Sequence, residues 1–336
     1  MANALCRFPV ASSALDSRVA VQLSPRLAPW ALNELLDAVV AQSKSLPPVW
    51  RWGMFEVGLG ADEQRCDFMT CLANVREDAE RARGHVGHPQ LQVGRSLLEP
   101  WCANAALRAA LPLLWFEWDM KPSGPETALA SVCLDASFLS DAAAPTRSQQ
   151  VDCVRQVLGW TVEPAALGAS ISREVERCLR ELPEHTSLLH LASLQGRGVN
   201  AVRVTLGLKP FELVSWLKAI GWTGNLGLLA VWCRIATLPW QRVFVQVEVG
   251  ERLHSYLGVE TRLVHDPMAD PIESGLVEYA FADRARVTAL RNWAGHERLR
   301  TAPELSIERS FYVKVAPFDE RPLCAKAYLG FNLVDA

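Results

Sequence analysis

The stretch "SFYVKVAPFDERPLCAKAYLGF" (310–331) carries the residue types best suited to chemistry on an anion. Two apolar runs flank a turn-like "APFDERP", the pattern of a β-hairpin. Successive strand side chains alternate between faces, so Tyr312 and Lys314 share a face with Lys326 and Tyr328 of the partner strand. Phe311, Val313, Val315, Ala325, Ala327 and Leu329 form the opposite, core-like face. Two ammonium groups held together repel each other unless an anion lies between them. A diphosphate would satisfy both lysines and both phenols at once. The plain alternative is a hairpin face turned to water.

The rest of the chain must say which. Of 336 residues, 50% are hydrophobic and 21% charged, enough for a large core, and the whole chain (1–336) reads as one domain. The net charge of −3 gives no reason to expect nucleic acid as a partner, so any anion site has to be a local cluster of cations. Nine cysteines without a CxxC pair and without a secretory leader suggest reduced thiols and a cytoplasmic protein. The most apolar window, 220–240, contains Asn225, Arg234 and Pro239 and reads as a buried helix rather than a membrane span.

The order of elements repeats. Strand pairs are expected at "VWRWGMFEVGLG…RCDFMTCLANV", "PLLWFEWDM…ALASVCLDASF", "LLHLASLQGRGVNAVRVTLGL", "RVFVQVEVG…HSYLGVETRLV" and the terminal hairpin. Helical patterns lie between them, including "PFELVSWLKAIGW", "LGLLAVWCRIA" and the whole of "ESGLVEYAFADRARVTALRNWAGHERLR" (273–300). Ten antiparallel strands with helices on one side point to a sheet closed on itself, and a barrel that wide can hold a ligand. Each strand sets an aliphatic face against a mixed one: Trp115, Glu117, Asp119 and Lys121; Arg203 and Thr205; Phe244, Gln246 and Glu248; His254, Tyr256, Glu260 and Arg262. The mixed face is either a lumen or the wet side of an open sheet. Aromatics such as Trp115 and Phe244 suit a lumen better.

With five strand pairs, intervening helices and the K-x-Y spacing of Lys326 and Tyr328 in "AKAYLGF", the chain resembles the αββα prenyltransferases, the PT-barrel enzymes. The tail and the "WFEWD" strand also look like bacterial proteins associated with modified-peptide biosynthesis. The first resemblance implies an α+β fold, a ten-stranded antiparallel β-barrel built from five αββα repeats with helices outside. It also implies a metal-independent prenyltransferase, without a cofactor, that moves an isoprenyl group from an isoprenyl diphosphate to an aromatic small molecule or a peptide side chain. In that reading Lys314, Lys326, Tyr328, Tyr312 and Arg203 bind diphosphate, while Trp115, Phe244 and Tyr256 shield the allylic cation or hold the acceptor. Glu117 is the first choice for the catalytic base, with Glu248 and Glu56 behind it, the alternative for Glu117 being a salt bridge to a lumen arginine. A non-catalytic peptide-binding accessory protein on the same barrel is the other reading. No DDxxD pair, P-loop, HExxH or G-x-S-x-G elbow occurs, and Cys66, Cys71, His85 and His88 follow no standard zinc spacing.

Overall fold

The computed structural model describes residues 17–61, 63–74, 76–126, 133–134, 147–161, 169–184, 186–236, 243–261, 269–316, 318 and 324–336. The strands are β1 (Trp52–Gly58), β2 (Cys66–Ala73), β3 (Leu113–Trp118), β6 (Cys133–Leu134), β7 (Ser187–Ser193), β8 (Val202–Leu208), β9 (Val243–Val249), β10 (Leu253–Thr261), β11 (Gly295–Leu299), β12 (Ala302–Ala316) and β13 (Cys324–Asp335). Two-residue strands β4 (Met120–Lys121) and β5 (Gly124–Pro125) make a separate small hairpin. The main sheet runs β6-β3-β2-β1-β13-β12-β10-β9-β8-β7, and every described pairing in it is antiparallel. Its two ends, β6 and β7, come within 8 Å of each other between Cα atoms, so the sheet curls back on itself. The five expected strand pairs are β1–β2, β3–β6, β7–β8, β9–β10 and β12–β13, with helices between consecutive pairs.

The alternation in the sequence builds two separate cores. On β9, Val243, Val245, Val247 and Val249 are fully buried while Phe244, Gln246 and Glu248 face the other way. The valines join a large core with outer helices such as Asn33–Ser45, Pro210–Ala219 and Leu226–Ala236. On the same outer side an aromatic ladder crosses four strands. Phe331 stacks on Phe55 at 4.9 Å, Phe55 on Phe68 at 5.6 Å, and Phe68 on Trp118 at 6.1 Å. Cross-strand aromatic pairs of this kind each add about 0.5–1.5 kcal/mol beyond area burial. The second core contains strand residues only: Trp52, Met54, Met69, Cys71, Ala73, Trp115 and Tyr328, with Leu113 and Tyr312 against it. It lies on the inner face of the curl.

Two expectations about elements are corrected. The helical pattern at 273–300 breaks into helices Ala269–Glu278 and Arg284–Leu290, and 295–299 is strand β11 paired with the first half of β12. Glu297 and Leu299 alternate with exposed His296 and Arg298, but so charged an edge strand offers little apolar signal to read. For the same reason β12 starts eight residues before Ser310, at Ala302. The second strand expected at 128–138 is described only at β6, and Arg262 lies outside the described residues. Among the described residues, no helix is long and apolar enough to cross a membrane.

Candidate active site

Strand register decides which side chains meet. Tyr312 pairs with Tyr328 and Lys314 with Lys326 across β12 and β13. Tyr328 in turn sits opposite Glu56 on β1, Glu56 opposite Asp67 on β2, and Met69 opposite Glu117 on β3. On the other side, Lys314 faces Glu260 of β10, and Arg203 of β8 faces Glu248 of β9. Residues directly opposite in a ladder share a face, so all of these belong to the inner one.

The inner face is stratified. Trp52, Met54, Met69, Cys71, Ala73, Leu113 and Trp115 form an apolar end. One or two residues further along the same strands come Glu56, Asp67 and Glu117, followed by Asp119, and with them the cations of β12 and β13. Lys314 is 2% exposed; its ammonium donates to Gln246 Oε1 at 2.5 Å and to the Tyr328 hydroxyl at 3.2 Å. Lys326 donates to Glu56 Oε1 at 3.0 Å. Arg203 donates to Glu248 Oε1 at 2.6 Å and lies over the Tyr256 ring at 5.2 Å. Space for Lys314 is made by Gly258, where an added Cβ would come within 2.7 Å of Lys314 Cε and 3.2 Å of the Tyr256 hydroxyl.

Burial and charge set the protonation states. Burial opposes ionisation of Glu56, but Lys326, Arg65 and Lys314 outweigh it and hold the carboxyl well below its usual range. Burial likewise opposes the charge of Lys326, and Glu56 more than restores it. Glu260 is pushed up to about 7 by burial, with Lys314 only partly compensating. Asp67 also rises to about 7 through burial, which the nearby Arg65 opposes and Glu56, Asp119 and Glu117 reinforce. Burial raises the Tyr328 phenol well above its ordinary value, so it stays a hydrogen-bond donor.

The aromatic groups cluster on these charges. Tyr312 and Tyr328 stack at 4.6 Å, and the Lys314 ammonium is 5.7 Å from the centres of both the Tyr256 and Tyr328 rings. Trp115 is buried at the apolar end beside Tyr328, while Phe244 sits opposite Glu260 and Gly207, half-buried. The structure thus brings Lys314, Lys326, Tyr312, Tyr328, Arg203, Tyr256 and Glu56 into one connected cluster. It separates Lys121, whose exposed side chain pairs with Glu126 on the small β4–β5 hairpin.

Glu117 takes the arrangement given above as its alternative: Arg197 binds it, and binds Asp119 at 2.5 and 2.7 Å. Arg65 binds Asp67 and reaches Glu56 at 3.4 Å and Asp119 at 3.5 Å. Neither arginine stands out in the sequence. Arg197 belongs to the "QGRG" turn and Arg65 precedes β2, so only the folded sheet brings them to the carboxylates. Asp67, Glu117 and Asp119 offer oxygens within 4.8 Å of one another, as a metal site would. Two guanidinium groups already lie against these oxygens, and a divalent cation would have to displace one. The polar end of the inner face thus brings the carboxylates Glu56, Asp67, Glu117, Asp119, Glu248 and Glu260 together with the cations Arg65, Arg197, Arg203, Lys314 and Lys326.

No protein-family model matches this chain, and no curated protein matches its sequence. Among solved structures, the apo form of the prenyltransferase PriB is similar with a TM-score of 0.53 at 14% identity, over 95% of this chain and 96% of that one. The 5-dimethylallyltryptophan synthase from Streptomyces coelicolor is similar with a TM-score of 0.50 at 13% identity, over 95% of this chain and 97% of that one. At these identities the likeness shows the fold: the curled sheet and its helices share the architecture of these two solved structures.

Proposed function

We propose that the lumen transfers an isoprenyl group from its diphosphate to an aromatic acceptor, and that it needs no metal to do so. The observation that carries this reading is the stacked Tyr312–Tyr328 pair with Lys314 and Lys326 at the adjoining positions, inside a sheet of prenyltransferase architecture. Lys314, Lys326 and Arg203 meet the diphosphate, and the Tyr328 phenol donates to it. The allylic C–O bond breaks with its electron pair going to the diphosphate oxygen, whose new charge these cations stabilise. The allylic cation faces Tyr312, Tyr328 and Tyr256, each ring contributing about 0.5–2 kcal/mol of attraction. A ring carbon of the acceptor forms the new C–C bond, and the resulting arenium loses its proton.

Glu56 suits that last step better than Glu117. It is ionised, adjoins Tyr328, and points at the same space, whereas Arg197 occupies Glu117. An arenium is so acidic that a weakly basic carboxylate suffices, and position matters more than basicity. Incubating the protein with dimethylallyl or geranyl diphosphate and indole-bearing acceptors, followed by mass spectrometry, tests the proposal. A mass gain of one isoprenyl unit supports it; release of diphosphate without an adduct, or no reaction across the panel, rejects it.

A second reading has its own support. Each lumen cation already has a carboxylate or amide partner, an arrangement that also suits a structural network in a non-catalytic, peptide-binding barrel. Titration with isoprenyl diphosphates separates the two. Salt-sensitive binding favours the transferase; no binding, beside affinity for a peptide, favours the accessory role.

A further inference from the structure

Outside the lumen, a cleft of about 1250 Å³ opens at the rim where the β9–β10 turn meets the outer helices. Its inner wall is Glu248 and Tyr256, both of which also contact Arg203 in the lumen. The Tyr256 ring is the same one that lies 5.7 Å from the Lys314 ammonium. The cleft therefore adjoins the proposed reaction site through these two side chains, and it is larger than the usual 300–1,000 Å³ of a small-molecule site.

Three fastenings hold its walls. Glu174 on the outer helix Ala169–Arg180 accepts from the Leu253 backbone N–H at 3.2 Å, tying the start of β10 to that helix. The Trp222 indole donates to Ser255 O at 3.0 Å, and the Asn225 N–H donates to Phe318 O at 2.9 Å. The loop between them begins at a helix end closed by Gly221, at φ 71°. There the N–H of Gly221 meets Lys218 O and that of Trp222 meets Leu217 O, a Schellman motif. A wall fixed before binding loses little entropy on binding.

The charges in the cleft are unequal in availability. Arg177 is neutralised by Glu174 at 2.5 Å and also donates to Ile220 O. Glu248 is held by Arg203, with His254 3.9 Å away. Arg252 is exposed on the cleft wall, and among the described residues its guanidinium makes no ion pair. Such a group presents a fork of donors to an incoming carboxylate.

From this we infer that the rim cleft docks a peptide bearing the aromatic acceptor residue, with an acidic side chain of that peptide on Arg252. The inference rests on the transferase reading for its acceptor, but not for its binding step. The test is fluorescence anisotropy with two dye-labelled pentapeptides, acetyl-Gly-Trp-Asp-Asp-Gly-amide and its Asn-Asn counterpart, on wild type, Arg252→Glu and Arg252→Lys. The acidic peptide should bind about tenfold tighter to wild type, as one charge-assisted contact implies. Arg252→Glu should erase that preference and Arg252→Lys keep most of it. Equal binding of the two peptides to wild type, or a preference that survives Arg252→Glu, overturns the inference. Turnover of free indole by Arg252→Glu is read in parallel and should equal wild type. Absence of turnover in both proteins, with the acidic preference intact, rejects the transferase reading and leaves the cleft assignment standing.

Discussion

Replacing Lys314 with Met keeps the length of the side chain and removes its charge from the centre of the site. The ammonium is 2% exposed and its hydrogen-bonding partners, Gln246 and Tyr328, are neutral. Two unit charges about 3 Å apart at an effective dielectric constant of about 20 attract by about 5.5 kcal/mol. Lys326 and Arg203 keep part of that interaction with the same diphosphate, which leaves about 3–4 kcal/mol for Lys314. At about 1.4 kcal/mol per decade, kcat/KM should fall by about 10² to 10³. Stability should change far less, because Glu260, whose carboxyl is already pushed up to about 7, takes up a proton when its counter-charge is removed. The assay is steady-state prenylation followed by chromatography, with thermal unfolding as the folding control. If Lys314→Met kept kcat/KM within about threefold while remaining folded, no lysine at this position stabilises the leaving group, and the assigned site would be wrong.

Gly258→Ala should crowd Lys314 without emptying the core, raising the donor KM about tenfold while the melting temperature moves by about 2 °C or less. Glu56→Gln should lower kcat by about 10² and at the same time lower the donor KM, because Lys326 is released from its carboxylate partner. Diphosphate binding should be coupled to proton uptake. An anion brought near Glu260 and Asp67, both poised at about 7, raises their pKa values further, so titration calorimetry above pH 7 in buffers of different ionisation enthalpy should register uptake. The same two carboxyls are raised above their unfolded values, so their contribution to stability is complete below about pH 4 and is lost as pH rises through about 7. Thermal unfolding from pH 5 to 8 should show that decline, and Glu260→Gln should remove part of it.

Alternation carried much of this structure in plain view. The valines of β9 and the Tyr–Lys pattern of β12 and β13 fall on the faces their spacing implies, because a one-residue slip would expose a whole apolar face. What linear order hid was pairing at a distance. Arg197 lies 80 residues from Glu117 and Lys326 lies 270 from Glu56, and neither pair follows any local rule. The balance of charge was hidden too: Lys314 and Lys326 looked like cations awaiting an anion, and the fold supplies Glu56 and Glu260 beside them. Strand β11 escaped because a charged edge strand satisfies its backbone by pairing rather than by burying side chains.

These observations meet in one idea: the lumen cations exchange their carboxylate and amide partners for a diphosphate. Calorimetric titration of the protein with geranyl S-thiolodiphosphate, which binds without reacting, examines that exchange directly. One site per chain is expected, with affinity that falls as salt rises and a loss of about tenfold or more in Lys314→Met and Lys326→Met. No heat of binding, or binding indifferent to both substitutions, would contradict it.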